Sequence, residues 1–201
     1  AAAAQFVVNP VTAWVMLDEL GLQPGDWLVQ TAAGSTLGRL VIQMAQLRGY
    51  RTINLVRRPE QADELLELGG DAAFGTDGAD VVQRVRQLTG GRGAAGALEA
   101  VGGAAGALAL RALRSGGVML VYGRTGEIAL KTLRPGGTML VYGMLGREPL
   151  PLHNGEMLFR GLTVRGFWLS QWFRQTPPAR TAATLGELMG LMAGGRLLPP
   201  V

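Results

Sequence analysis

Residues 27–58 read WLVQTAAGSTLGRLVIQMAQLRGYRTINLVRR. The stretch opens on an apolar run, Trp27-Leu28-Val29, of the kind that fills a strand buried on both faces. A turn of small residues follows, from Thr31 to Gly38. Leu37, Val41, Met44, Ala45 and Arg48 then recur at helical spacing, and Gly49 stops the helix. A second apolar run, Thr52-Ile53-Asn54-Leu55-Val56, ends in Arg57 and Arg58. This is a strand-turn-helix-strand unit whose tight turn opens a helix. The free N–H groups and positive dipole end of such a helix suit a phosphate, and small residues let a pyrophosphate come close to the backbone.

The end of the second strand selects among dinucleotides. A carboxylate there hydrogen-bonds the ribose 2′-hydroxyl of NAD. Here two guanidinium groups stand in that place, and they suit a 2′-phosphate. The unit therefore reads as an NADPH site. It lacks the full G-x-G-x-x-G pattern, because only Gly34 and Gly38 are glycines. An ordinary strand-turn-helix with two solvated arginines is the competing reading of the same residues.

The chain has 201 residues, enough for one well-buried domain with little room for a second. Hydrophobic residues make up 48% and charged residues 17%, which excludes disorder and suits a buried parallel sheet. The net charge of +4 comes from scattered arginines with no polybasic run, so a nucleic-acid role has little support. No apolar run approaches a membrane span, and the N-terminus has no charged signal start. The expectation is a soluble, cytoplasmic chain. Cysteine is absent and His153 is the sole histidine, which removes disulfides, thiol catalysis and a Cys/His zinc site. His153 lies in PLPLHNGE and reads as a surface residue.

Taken in order, Ala1 to Ala4 read as a frayed end. Pro10 suits the first turn of a helix over Val11 to Leu20. After the core unit, Pro59 starts a helix with Leu65, Leu66 and Leu68 inward. Ala72 to Phe74 is a third strand. A helix over Ala79 to Leu88 has Val81, Val82, Val85 and Leu88 as its stripe. Ala97 to Val101 is a fourth strand. Further on, Asn154 to Arg160 is a helix turn, Leu162 to Trp168 a strand and Leu169 to Arg174 a loop. A final helix spans Pro178 to Met192, and the end from Leu197 is extended because of its prolines.

Between these parts lies an internal repeat. ALRALRSGGVMLVYG (109–123) returns as ALKTLRPGGTMLVYG (129–143), so that Ala109 recurs as Ala129 and Gly123 as Gly143, an offset of 20 residues. Each copy reads as a helix, an Arg-x-Gly-Gly turn, a four-residue apolar strand and a closing glycine. Two outcomes compete. Both copies enter the sheet and add a strand, or one displaces the other, which is looped out or swapped into a partner. The second copy leads directly into the following chain, which favours it as the one beside the cofactor.

FVVNPVTAWVML, the 22–58 segment, GGTMLVYG and LTVRGFWLSQW together resemble the medium-chain dehydrogenase/reductase superfamily, most closely the zinc-free branch of trans-2-enoyl-CoA reductases and quinone-reductase-like enzymes. The resemblance runs along nearly the whole chain. It implies an α/β fold with a doubly wound parallel (Rossmann) sheet of about six strands, plus a possible extra strand from the duplication. It also implies hydride transfer from NADPH to the β-carbon of an activated double bond, with a tyrosine aiding protonation. Asn9 would sit near the nicotinamide or its ribose. Gly34, Ser35, Thr36 and Leu37 would hold the pyrophosphate, and Arg57 and Arg58 the 2′-phosphate. Tyr142, Gly143, Met144 and Leu145 would line the nicotinamide side, with Tyr122 and Gly123 as the rival set from the first copy. Phe167, Trp168 and Leu169 would pack near the nicotinamide, although periodicity alone reads that trio equally well as the end of a core strand.

Two departures from that pattern matter: the duplicated LVYG strand, and the absence of the GroES-like catalytic domain that precedes the Rossmann part in the family. The catalytic tyrosine lies there, and neither Tyr50, Tyr122 nor Tyr142 can be assigned to its role, so the catalytic residues are unknown and no metal is expected. The chain is thus expected to be one NADPH-binding domain over residues 1–201, acting on a small enoyl or quinone substrate when a catalytic domain is supplied. A homodimer through the strand Leu162 to Trp168 is expected. A non-catalytic nucleotide-binding module and an oligomeric scaffold remain open as alternatives.

Overall fold

The structure is a computed structural model that describes residues 2–76, 80–121, 133, 135–142 and 154–198. The decisive unit folds as read. Helix α1 (Ala2–Leu20) leads into β1 (Trp27–Gln30), α2 (Thr36–Leu47) and β2 (Arg51–Val56). Leu28 and Val29 on β1 and Ile53 and Leu55 on β2 are fully buried, as strands covered on both faces require. A 3₁₀ turn (Pro59–Gln61) and α3 (Ala62–Glu67) precede β3 (Ala72–Gly75), and α4 (Val81–Leu88) precedes β4 (Ala94–Glu99). Then come α5 (Gly103–Arg111), β5 (Leu113–Val121), β6 (Thr138–Val141), α6 (Asn154–Arg160), β7 (Thr163–Gly166), α7 (Leu169–Gln175) and α8 (Pro178–Ala193).

The strands form one seven-stranded sheet in the order β3-β2-β1-β4-β5-β6-β7, with every neighbouring pair parallel. The order reverses between β1 and β4, which opens a crevice at their carboxyl ends. Alternating side chains send Leu28, Leu98, Leu120 and Leu140 to one face, where they pack with Val15 and Met16 of α1, Met44 of α2 and Leu188 of α8. Val29, Ala97, Met119 and Met139 go to the other face, against Val85 of α4 and Ala109 and Leu110 of α5.

Both copies of the repeat enter the sheet. Val118, Met119, Leu120 and Val121 of β5 pair with Thr138, Met139, Leu140 and Val141 of β6. That register equals the sequence offset, so each residue lies beside its own duplicate. A shift of one residue would have moved each side chain of one copy to the opposite face, taking Leu140 out of the layer of Leu120 and Met139 out of that of Met119.

Several expectations are corrected. Helix α1 starts at Ala2 and contains Pro10 in its interior, because the alanine-rich segment before Pro10 is a strong helix former. Leu65 is buried while Leu66 is 42% exposed, since a six-residue helix offers the core only one such position. Leu88 faces outward because Thr89 takes the inward place after Val81 and Val85, its hydroxyl donating to Val85 O at 2.8 Å. Strand β4 begins earlier and ends earlier than Ala97 to Val101. Its start is held by Ala94 N–H donating to Ala112 O, and its end by the turn that Glu99 closes. The Arg-Ser-Gly-Gly segment of the first copy lies inside β5, which accommodates it through a register shift against Ala94 and Gly96. The segment Leu169 to Arg174, expected as a loop, is helix α7, anchored by buried Leu169 and by Trp172 and Phe173 packing on the core cluster to which α1 contributes. Strand β7 itself is shorter than the span read from the sequence, running from Thr163 to Gly166.

Among the described residues no helix is long and apolar enough to cross a membrane, and no group of His, Cys, Asp or Glu could hold a metal ion.

Candidate functional site

The crevice at the reversal point is built from the end of β1 and the start of α2. Ser35 caps α2, its Oγ accepting from Gly38 N–H at 3.1 Å, and its own N–H donates to Ala32 O at 2.9 Å. This leaves the N–H groups of Thr36 and Leu37 as helix-terminal donors without an intrahelical partner, the arrangement that receives an anion. Ala32 holds φ +50 at the rim, the sole non-glycine with positive φ among the described residues. Such a conformation persists only where the surroundings impose it. Gly38 explains why α2 can lie so close to β1. A Cβ there would stand 2.5 Å from Ala33 O and 2.8 Å from Ala32 O. Its role, letting the helix pack closely on the strand, is that of the third glycine of the dinucleotide pattern.

A cavity of about 420 Å³ opens over this turn. Gly34 and Ser35 line it on one side and Arg57 and Arg58, at the end of β2, on the other. Both arginines are exposed, and neither side chain forms an ion pair or hydrogen bond among the described residues. Arg39, by contrast, is committed: its Nε donates to Gly34 O at 3.3 Å and its guanidinium meets Glu64 at 2.6 Å. The two cations facing the cavity are therefore available to an anionic group, where a charge-assisted contact is roughly twice as strong as a neutral one.

Buried polar contacts fix the walls. On the β4 side, Glu99 is 2% exposed and one carboxylate oxygen accepts from Thr31 Oγ1 at 3.1 Å, Val101 N–H at 2.7 Å and Gly102 N–H at 2.8 Å. Thr31 Oγ1 in turn accepts from Ala100 N–H at 2.9 Å. This knot ties β1 to β4 and turns Val101 into the cavity wall. Below the floor, Gln30 Nε2 donates to Gly38 O at 3.0 Å and to Asn54 Oδ1 at 2.7 Å, joining β1, α2 and β2.

The structure brings together Gly34, Ser35, Arg57 and Arg58, with Thr36 and Leu37 on the adjoining first turn of α2. Asn9 lies half-buried on α1 and does not line the cavity. Tyr142, Phe167, Trp168 and Leu169 form a second group beyond β5. Tyr142 and Phe167 pack with ring centroids 5.2 Å apart, and Arg174 lies 4.8 Å over the Trp168 ring. Gly143, Met144, Leu145, Tyr122, Gly123 and His153 lie outside the described residues. The sequence reading missed Ala32, Gln61, Thr76, Val101 and Ala105, which also line the cavity. Val101 and Ala105 follow β4, the strand across the reversal point, and correct placement of that strand's end would have indicated them.

Comparison with known proteins agrees with this architecture. Residues 36–128 match the zinc-binding dehydrogenase family. The chain is 35% identical over 202 residues to the mitochondrial enoyl-[acyl-carrier-protein] reductase of Arabidopsis thaliana, a match that covers 97% of this chain and 48% of that protein. It is 33% identical over 203 residues to the human protein of the same name, covering 98% of this chain and 49% of that one. A Bacillus thuringiensis structure named as an NADPH:quinone reductase superposes with a TM-score of 0.74 at 28% identity, over 97% of this chain and 53% of that chain. The chain spans about half the length of the curated relatives it matches. Residues 36–128 thus form a zinc-binding dehydrogenase domain of the medium-chain dehydrogenase/reductase type, and the chain as a whole is similar in sequence and fold to the cofactor-binding half of such proteins.

Proposed function

We propose that this chain binds NADPH in the cavity at the reversal point and is the cofactor-binding part of an oxidoreductase acting on an enoyl thioester or a quinone-like acceptor. One observation carries this reading: two cations without partners among the described residues, Arg57 and Arg58, line the same cavity as the phosphate-suited turn of Gly34 and Ser35. The 2′-phosphate would meet the guanidinium groups, and the pyrophosphate the N–H groups of Thr36 and Leu37. The bound cofactor supplies a hydride. The chain's own residues bind and orient it, with Glu99 and Thr31 holding the Val101 wall and Gln30 the floor. The names of the relatives support the enoyl thioester as acceptor.

A non-catalytic nucleotide-binding module is the second reading, and the added strand beside the site favours it. A homodimer through the open edge of β7 is also proposed, because β7 ends the described sheet and its outer edge faces no further strand among the described residues. The cytoplasm remains the proposed compartment, beside relatives named mitochondrial. Titration of the purified chain with NADPH, followed by tryptophan fluorescence, tests the binding. Oxidation of NADPH with crotonyl-CoA or a quinone then separates the two readings. Saturable binding supports the cavity as a cofactor site, and absence of binding removes it.

A further inference from the structure

We infer that the inserted strand divides the cofactor site, so that this chain grips the 2′-phosphoadenosine half of a dinucleotide and gives little hold to the nicotinamide half. The inference deepens the NADPH reading and rests on it.

The argument follows from where the duplication falls in the sheet. Arg57, Arg58, Gly34, Ser35, Val101 and Ala105 all precede the repeat, which starts at Ala109. They stand on the β2, β1 and β4 side of the crevice, which the repeat does not interrupt. A dinucleotide lies across the reversal point with its adenosine ribose at the end of the second strand. Its nicotinamide half then extends over β4 and the strands beyond it. That is where the sheet has changed.

β5, from the first copy, takes the place beside β4, with Val121 level with Glu99. β6, from the second copy, stands one strand further out, with Val141 level with Val121. Among the described residues β7 pairs only with β6, so Phe167 and Trp168 stand one extra strand spacing, roughly 4.8 Å, from the crevice. Their side chains are also engaged elsewhere, Phe167 with Tyr142 and Trp168 with Arg174. The aromatic group that would flank a nicotinamide in a six-stranded sheet is thus held away from it. The charged half of the site lies on the other side of the inserted strand and keeps its geometry.

The test compares adenosine 2′,5′-bisphosphate, which carries only the gripped half, with NADPH by calorimetry. It uses the full chain and a variant lacking residues 124–143, which restores a single copy. In the full chain the two ligands should bind within about threefold of each other. In the deletion variant NADPH should gain about tenfold or more while the bisphosphate stays unchanged. A second variant lacking residues 109–128 removes the other copy and should behave alike if the first does not fold. NADPH binding more than about tenfold tighter than the bisphosphate in the full chain would overturn the inference, as would an unchanged ratio in a folded deletion variant. Failure of the bisphosphate itself to bind would remove the reading of the cavity and this inference with it. Bisphosphate binding with an unchanged NADPH ratio would sink the inference alone.

Discussion

Met139 lies directly beside Met119 on the neighbouring strand, and the two are the same residue of a repeated segment. Both are buried to within 1% and point to the face covered by α4 and α5. The second copy is thus a packed strand of the sheet and part of its core. Met139→Ala should cost about 2–4 kcal/mol in urea unfolding, like other buried methionine truncations. A loss under about 0.5 kcal/mol would mean that β6 is not part of the cooperative core.

Glu99 sets the wall of the cavity through three donors on one oxygen. Glu99→Leu leaves the Thr31 hydroxyl and the Val101 and Gly102 N–H groups without it, and should destabilise the fold by about 3 kcal/mol. Glu99→Gln keeps an acceptor oxygen and should cost about 1 kcal/mol. Equal losses for the two variants in chemical denaturation would contradict the acceptor role.

Gly38 and Gly34 should respond differently to alanine. At Gly38 the new methyl meets backbone oxygens, which cannot swing away, and the cost should be about 1–3 kcal/mol. At Gly34 it meets only the Gln61 side-chain amide at 3.1 Å, so the fold should lose no more than about 0.5 kcal/mol. Gly34→Ala should nevertheless weaken NADPH, because the methyl enters the cavity. Thermal unfolding and ligand titration on both variants read these effects separately.

The open edge of β7 predicts a dimer. Light scattering should give twice the chain mass, and Val164→Pro, which removes a backbone N–H from that edge, should shift the population toward monomer. A monomer at all accessible concentrations would remove the dimer proposal.

The parts of the fold legible in the sequence are those where pattern and chemistry coincide. The β1–α2–β2 unit was readable because a buried apolar run, a small-residue turn and a helical stripe follow in one short stretch. The duplication was readable as a repeat, but its place in the sheet was not. Whether a spare strand adds to a sheet depends on the pairing of Met119 with Met139 across a non-local ladder, which local pattern does not encode. The end of β4 is not legible because AAGALEAVGG has no alternation to mark it. What ends that strand is a side chain, Glu99, capturing two later N–H groups. Helix α7 is not legible in local sequence because its stabilisation comes from Leu169, Trp172 and Phe173 packing against distant elements. The cationic pair at the end of β2 was legible because its position in a strand-turn-helix-strand unit fixes what it can reach.

The most direct test of the account is the ratio of NADPH to NADH affinity in the full chain and in the Arg57→Ala/Arg58→Ala double variant. Each charge-assisted contact contributes about 1.5–3 kcal/mol, so the full chain should prefer NADPH by at least about tenfold. The double variant should lose that preference through weaker NADPH binding while NADH changes little. Equal weakening of both cofactors, or no preference in the full chain, would contradict the assignment of Arg57 and Arg58 to the 2′-phosphate.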